Sequence, residues 1–341
     1  MRSGWKILVT AQAFAVSGGD ARRELEAAGC ELLPSKSWGP LTESELIAQA
    51  HEVDAVIAAT DPYVSNVFES LPRLKLVARC GVGIDSVDLA AASGAGVLVT
   101  NVPFAMTDAV ADYCMGLLLT MVRRIHEGYI CMQQGGWAEF PGVELRDKTL
   151  GLIGFGKIGQ AVADRALGFG LRVIAYDPAV APASIPEWAT QRYSRVQFHS
   201  LEDVLSQSHF VSVHAPNNPS TKHLINADTL NKMRPDGYLI NTSRGALIDE
   251  SALIDCLTRG KIAGAAIDVY EREPLPPQHP LRTTPRLLMT PHNAFNSREA
   301  AVRMSWGCAH PILDAIQQKT PEFLCNPDVL RSPALRCPAG A

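Results

Sequence analysis

The stretch of sequence that decides the fold is TLGLIGFGKIGQAVADRALGFGLRVIAYD, residues 149–177. Three glycines within it, Gly154, Gly156 and Gly159, form the pattern G-x-G-x-x-G. An apolar run with strand character precedes the glycines, and an apolar-periodic segment with helix character follows them. A second strand then ends at Asp177. This is a βαβ unit closed by an acidic residue, at the spacing expected of a dinucleotide-binding fold.

Each part of this unit has a physical role. Gly154 permits the tight strand-to-helix turn, Gly156 lets the backbone approach a pyrophosphate, and Gly159 lets helix and strand pack closely. The pyrophosphate would lie at a helix N-terminus, where free N–H groups and the dipole favour anions. Asp177 can accept hydrogen bonds from the adenosine ribose 2′-OH and would repel a 2′-phosphate, so the cofactor is predicted to be NAD. The alternative is a glycine-rich turn in an unrelated α/β protein.

Length, composition and charge exclude several classes of function. The chain has 341 residues, enough for about two domains. Its net charge of −4 predicts neither nucleic acid nor an anionic membrane as a partner. The longest apolar stretch, Cys114–Val122, is too short to span a bilayer. A strand predicted from Trp5 leaves no room for a signal peptide.

The cysteines indicate a reducing environment. The chain has 8 of them, and no two form a C-x-x-C pair, so neither a zinc site nor a redox dithiol is predicted. Several lie in apolar runs, where a cysteine is usually a small buried hydrophobe. We therefore predict a cytoplasmic protein without a bound metal.

Strand-like and helix-like segments alternate along the whole chain, which predicts an α/β protein with parallel sheets in two lobes. A long helical pattern, Thr107–Gln133, lies between the lobes. Segment 178–199 is predicted to be a loop insertion. Before residue 107, the predicted strands are Lys6–Thr10, Asp54–Ala58, Lys75–Cys80 and Gly96–Val99.

Three segments after the glycine pattern carry groups suited to oxidation of an alcohol beside a carboxylate. Arg244 follows a strand in INTSRG, Glu273 lies in DVYEREP, and His292 follows a strand in TPH. Ligands of a doubly wound sheet bind at the carboxyl ends of its strands. Arginine offers a planar fork to carboxylate and carbonyl oxygens, and histidine exchanges protons near neutral pH. A carboxylate would orient the histidine. Glu271 is the alternative partner, and each of these side chains has a purely structural interpretation.

In these motifs the chain resembles the D-isomer-specific 2-hydroxyacid dehydrogenases, the family of phosphoglycerate, glyoxylate/hydroxypyruvate, D-lactate and formate dehydrogenases. The resemblance covers about residues 50–330. Besides the glycine pattern, it rests on these motifs: RCGVGIDSVDL (79–89), NVPFAMTDAVADY (101–113), SVHAPNNPST (212–221), INTSRG (240–245), DVYEREP (268–274) and TPH (290–292). Several ordered motifs are far more specific than any one of them.

The resemblance implies two doubly wound lobes: a flavodoxin-like substrate domain, residues 1–103 and 297–341, and a Rossmann NAD-binding domain, residues 104–296. It also implies a homodimer, for which the apolar helix Asp112–Val122 would be a contact surface or, alternatively, core. The implied reaction is the NAD-dependent interconversion of a D-2-hydroxy acid and its 2-keto acid.

The resemblance further implies the role of each site residue. Arg244 binds the substrate carboxylate and polarises the carbonyl, His292 is the acid/base, and Glu273 pairs with His292. Further groups bind the substrate and the cofactor. The backbone amides of Val82 and Gly83 bind the substrate carboxylate, and those of Lys157 and Ile158 bind the pyrophosphate. Asp177 binds the ribose. The nicotinamide side is lined by Pro216, Thr242, Asp268 and His292.

Two departures from the family pattern bear on the substrate. Phosphoglycerate enzymes typically carry an Arg-Ser pair where this chain has Ala59, Thr60 and Asp61. An Asp there would repel a doubly anionic substrate, which disfavours 3-phosphoglycerate. Phe295 replaces a small residue and predicts a bulkier pocket wall. The alternatives are a 3-phosphoglycerate dehydrogenase of serine synthesis and a non-enzymatic, NAD(H)-sensing corepressor-like protein.

Overall fold

The computed structural model describes residues 4–179 and 194–337. The chain divides into two compact units: unit 1 comprises Met1–Met106 and Asn296–Ala341, and unit 2 comprises Thr107–Phe295. The domain boundaries predicted from the sequence lie within a few residues of these.

Unit 1 is built on a five-stranded parallel sheet. In order along the chain its strands are β1 Lys6–Val9, β2 Glu31–Pro34, β3 Ala55–Ala58, β4 Leu76–Arg79 and β5 Leu98–Thr100. Its helices are α1 Gln12–Ser17, α2 Gly19–Ala27, α3 Glu43–Ala50, α4 Ser65–Ser70, α5 Leu89–Gly94 and α12 Arg298–Ile316, with a 3₁₀ helix at Pro327–Arg331. The strand order β2-β1-β3-β4-β5 is that of flavodoxin, as the resemblance implied.

Unit 2 is built on a seven-stranded parallel sheet of order β12-β11-β10-β9-β6-β7-β8. Its strands are β6 Thr149–Ile153, β7 Arg172–Tyr176, β8 Val196–Phe198, β9 Phe210–Val213, β10 Tyr238–Asn241, β11 Gly264–Ile267 and β12 Leu287–Met289. Its helices are α6 Thr107–Val122, α7 Ile125–Gln133, α8 Lys157–Gly168, α9 Leu201–Gln207, α10 Ala227–Leu230 and α11 Glu250–Thr258, with 3₁₀ helices at Gly245–Leu247 and Pro280–Thr283. This is the Rossmann order with one further strand.

The central strands are apolar on both faces because helices cover the sheet on both sides. All residues of β3, β6, β9 and β11 are buried. Helix α6 packs in the core of unit 2 through residues that include Cys114, Leu117 and Leu118. Of the two roles considered for Asp112–Val122, the structure therefore assigns most of this apolar surface to the core rather than to a dimer contact.

Three expectations about local structure were wrong. The helical pattern Thr107–Gln133 is two helices, because Arg124 adopts a left-handed conformation (φ 53°) that an α-helix of L-residues cannot continue. Segment 178–199 is not all loop, since Val196–Phe198 pairs with β7 as an edge strand; residues 180–193 lie outside the described residues. Strand β2 was missed because it is a short edge strand with partly exposed residues, which gives little apolar signal.

Candidate active site

The glycine turn joins β6 to α8 in the manner that its sequence predicts. Gly154 has a φ of 94°, and a Cβ there would lie 2.7 Å from the carbonyl carbon of His214. A Cβ on Gly159 would lie 2.4 Å from the carbonyl oxygen of Gly154. At Gly156, in contrast, a Cβ would meet nothing within 4 Å. Gly154 and Gly159 are therefore needed for packing, whereas Gly156 leaves open space at the start of the helix.

The groups around this space fit a dinucleotide. The amides of Ile158 and Gly159 belong to the first turn of α8, where N–H groups have no acceptor within the helix. Asp177 accepts hydrogen bonds from Phe155 N at 2.7 Å and from Ala179 N at 2.9 Å. Each carboxylate oxygen keeps further acceptor capacity for a ribose hydroxyl.

Two other predicted cofactor contacts follow neighbouring strands of the same sheet. The hydroxyl oxygen of Thr242, after β10, is buried and has no hydrogen-bond partner in the described part of the chain. Such a group is rare in a folded protein and is satisfied when a polar ligand group reaches it. Pro216 follows β9, and its carbonyl accepts a hydrogen bond from Thr221 Oγ1 at 2.6 Å.

Arg244, Asp268 and His292 come after three adjacent parallel strands, β10, β11 and β12, so the fold brings them to one edge of the sheet. Asp268 is fully buried. Its carboxylate accepts hydrogen bonds from Thr290 Oγ1 at 2.6 Å, from Asn293 N at 2.9 Å and from Ala294 N at 2.8 Å. In the structure Asp268 therefore holds the segment that carries His292, and its contact with the nicotinamide stays a prediction.

His292 and Glu273 form a hydrogen-bonded pair, with 2.6 Å between Nδ1 and Oε2. The other oxygen of Glu273 accepts from Tyr270 N at 3.0 Å. Burial raises the pKa of the Glu273 carboxyl, but the hydrogen bond and charge of His292, the Tyr270 amide and the charge of Arg244 together hold this pKa below its usual range. Glu273 is therefore an ionised partner that fixes the imidazole and leaves Nε2 for proton exchange.

Arg244 lies close enough to Glu273 for its charge to act on that carboxyl. Its backbone is held by Asn241, whose Nδ2 donates to the Arg244 carbonyl at 2.9 Å. The next residue, Gly245, packs so closely that a Cβ there would lie 1.8 Å from the carbonyl carbon of Tyr270. The arginine segment and the glutamate segment are thus in direct contact.

Comparison with known proteins agrees with this geometry. Residues 115–294 match the NAD binding domain of the D-isomer specific 2-hydroxyacid dehydrogenases. Glyoxylate reductase of Thermofilum pendens is 37% identical over 305 residues, covering 87% of this chain and 88% of that protein. The chain belongs to the D-isomer specific 2-hydroxyacid dehydrogenase family. It is therefore an NAD(P)-dependent oxidoreductase that acts on 2-hydroxy acids or the corresponding keto acids.

Solved structures of similar proteins share the architecture of this dehydrogenase. The TT0316 protein of Thermus thermophilus superposes with a TM-score of 0.85 at 35% identity, covering 94% of this chain and 99% of that one. The apo-structure of D-lactate dehydrogenase from Escherichia coli gives a TM-score of 0.81 at 31% identity, with the same coverage of each chain. Glyoxylate reductase and D-lactate dehydrogenase are enzymes, so the comparisons favour the enzymatic interpretation over the non-enzymatic alternative.

The structure also shows which glutamate partners His292 in this dehydrogenase. Glu271, the alternative, bonds instead to His223, with 2.9 Å between Oε1 and Nε2. The sequence interpretation did not identify a hydrogen bond that supports the His292–Glu273 pair. Tyr270 OH donates to the Thr290 carbonyl at 2.8 Å and so ties the Glu273 segment to the His292 segment. No short pattern indicates such a contact, because the two residues lie on different segments. The ring of Phe295 lies beside His292, with centroids 6.0 Å apart.

Val82 and Gly83 lie in unit 1, in the segment after β4. The Val82 carbonyl accepts from Asn101 Nδ2 at 2.7 Å, which fixes the path of this segment. The side chain of Asp61 is fully buried and accepts hydrogen bonds from Leu41 N and Thr10 Oγ1. Asp61 thus has a structural role in unit 1, and the repulsion of a doubly anionic substrate stays a prediction.

Among the described residues, no helix is long and apolar enough to cross a membrane.

Proposed function

We propose that this dehydrogenase reduces a small 2-keto acid to the D-2-hydroxy acid, and catalyses the reverse oxidation. The observation that carries the proposal is the His292–Glu273 pair, 2.6 Å apart, beside Arg244 in the unit that carries the dinucleotide turn. The name of the Thermofilum relative, glyoxylate reductase, supports a small substrate such as glyoxylate.

In the proposed reduction, the Arg244 guanidinium binds the substrate carboxylate and polarises the carbonyl through its planar set of donors. His292 donates the Nε2 proton to the carbonyl oxygen as this oxygen gains negative charge. Before the transfer, Glu273 holds the imidazole through Nδ1 and favours its protonated form. Bound NADH supplies the hydride, which no side chain can provide. In the oxidation, neutral His292 accepts the proton from the alcohol.

The residues proposed to hold NAD are those that surround the glycine turn and the adjacent strand ends. The open space at Gly156 and the unpaired hydroxyl of Thr242 support this assignment. The amides of Lys157 and Ile158 would bind the pyrophosphate and Asp177 the ribose, with Pro216 and Asp268 on the nicotinamide side. The amides of Val82 and Gly83 are proposed as donors to the substrate carboxylate.

We also propose a homodimer in the cytoplasm. Helix α7 and the residues after it expose apolar side chains that a second copy would cover: Ile125, Tyr129, Ile130, Met132 and Trp137, of which Trp137 is 90% exposed. Exposed apolar patches of this kind commonly mark interfaces between proteins. A reducing location agrees with the eight cysteines, which all carry free thiols.

The proposed function is tested by following NADH absorbance with glyoxylate, hydroxypyruvate, pyruvate and 3-phosphohydroxypyruvate. We expect turnover of at least one non-phosphorylated acid. The His292→Gln variant should lose about 100-fold or more in kcat, because general acid catalysis contributes roughly 10²–10⁴-fold. Its NADH affinity, measured by fluorescence, should stay near that of the wild type. Folded, NADH-binding protein that is inactive with the whole panel would refute the proposal.

A further inference from the structure

A buried carboxylate lies close enough to the His292–Glu273 pair for the charge of Glu273 to act on it. Glu250 is the first residue of α11 and is only 9% exposed. Its Oε1 accepts a hydrogen bond from the backbone amide of Glu271 at 2.8 Å, and its Oε2 lies 3.4 Å from His279 Nε2. A buried carboxylate is costly unless its oxygens are bonded, so its presence here needs an explanation.

The amide that Glu250 holds belongs to the short turn that presents Glu273. Within this turn the Tyr270 amide donates to Glu273 Oε1 at 3.0 Å, and Glu273 Oε2 bonds to His292. On another side of the turn, a Cβ at Gly245 would lie 2.4 Å from the Glu271 nitrogen. The Tyr270–Glu271 peptide therefore lies between close backbone packing and the Glu250 carboxylate, and any shift of it moves the carboxylate that orients the catalytic histidine.

We infer that Glu250 is a positioning residue for the reaction: by holding the Glu271 amide, it sets the place of Glu273 and through it the orientation of His292. This inference rests on the proposed function. Glu250 is not itself in contact with Arg244 or His292 in any hydrogen bond or ion pair of the described residues. It acts on the backbone of the turn, 21 residues away along the chain.

The chemistry of the contact favours a carboxylate at this position. Burial raises the pKa of the Glu250 carboxyl, the Glu271 amide lowers it, and the nearby charges of Glu271 and Glu273 raise it further, partly offset by His279. An ionised Glu250 makes a charge-assisted hydrogen bond, which is shorter and stronger than a neutral one. Glutamine at this position would keep an acceptor for the amide, whereas alanine would remove it.

The test compares Glu250→Ala, Glu250→Gln and, as a matched control on the same helix, Asp255→Ala, whose partner is Arg259. For Glu250→Ala we expect kcat for keto-acid reduction to fall on the order of 10- to 100-fold, because a small misplacement of a catalytic group has effects of that size. The KM for the keto acid and the Kd for NADH should change less than about threefold. Glu250→Gln should recover most of the loss, and Asp255→Ala should behave as the wild type.

A double-mutant cycle distinguishes positioning from a general loss of structure. If Glu250 acts through Glu273, Glu250→Ala should lower kcat by less than about threefold when it is introduced into Glu273→Gln. An equal loss of kcat in both backgrounds would overturn the inference. So would a Glu250→Ala protein with wild-type kcat.

A measurement without turnover keeps this inference separate from the proposed reaction. Hydrogen exchange of a peptide that covers residues 269–273 should be faster in Glu250→Ala, close to wild type in Glu250→Gln, and unchanged in Asp255→Ala. If the wild type reduces no keto acid, the proposed function fails, while the exchange result still decides whether Glu250 holds the turn. Unchanged exchange in Glu250→Ala would refute the positioning role.

Discussion

His214 makes the stability of unit 2 dependent on pH. It follows β9, and its Nε2 lies 2.9 Å from Ser212 Oγ, which in turn lies 3.2 Å from the thiol of Cys114. Burial lowers the pKa of His214 from 6.5 to about 4. The folded protein therefore keeps this imidazole neutral at pH values where the unfolded chain protonates it. Stability from this group is fully present above pH 6.5 and is lost as the pH falls towards 4.

The magnitude follows from the two pKa values. One pKa unit corresponds to about 1.4 kcal/mol, so the difference between 6.5 and about 4 amounts to roughly 3 kcal/mol once the pH is below both values. At pH 5 the unfolded chain is already almost fully protonated at this site while the folded protein is not, and linkage gives about 2 kcal/mol. Because part of the residue is reached by water, we expect between about 1 and 2 kcal/mol at pH 5.

The assay is urea unfolding at pH 7.5 and pH 5.0, followed by far-ultraviolet circular dichroism, for the wild type and His214→Gln. The transition of unit 2 is identified by its shift when NADH is added. Other titrating groups contribute in both proteins and cancel in the difference. The wild type should lose about 1–2 kcal/mol more than the variant between the two pH values. Equal losses would show that His214 is not held neutral, and the reasoning from its burial would be wrong.

Two further predictions concern the surface and the core. Replacing Asp61 by Ala should destabilise unit 1 by about 3 kcal/mol, because two buried donors, Leu41 N and Thr10 Oγ1, lose their acceptor. Urea unfolding measures the free energy of unfolding of both proteins. A difference below about 1 kcal/mol would contradict the prediction. Replacing Trp137 and Tyr129 by Ser should shift the protein towards the monomer in sedimentation velocity, since these side chains are 90% and 64% exposed and would be covered by the second copy. A wild type that sediments as a monomer would remove the proposed dimer.

Local patterns were sufficient for the architecture and for choosing the candidate site residues. Alternating strand and helix patterns predicted parallel sheets, and the strand order of each sheet then matched the expected topology. Arg244 and His292 could be identified because each follows a buried strand, and the carboxyl ends of neighbouring parallel strands meet at one edge. The glycine turn could also be predicted, because its geometry depends on residues that are close together in the chain.

Other features depend on residues that are far apart in the chain, and only the tertiary structure decided them. The resemblance favoured Glu273 over Glu271 as the partner of His292, and the structure agrees, since Glu271 bonds to His223 and Glu273 bonds to His292. The sequence indicated Asp61 only as a charge near the substrate, whereas the structure shows that its carboxylate is buried and accepts hydrogen bonds from Leu41 N and Thr10 Oγ1.

The amino-acid sequence by itself determined the α/β class, the dinucleotide turn and the strand ends that carry Arg244, Asp268 and His292, since periodicity and turn chemistry are local properties. The tertiary structure showed that Glu271 bonds elsewhere, and it alone showed that Glu250 holds the turn of Glu273, with an acceptor and a donor 21 residues apart. Hydrogen bonds between residues far apart in the chain form only when packing brings their segments together, and no local sequence pattern indicates which segments will be in contact.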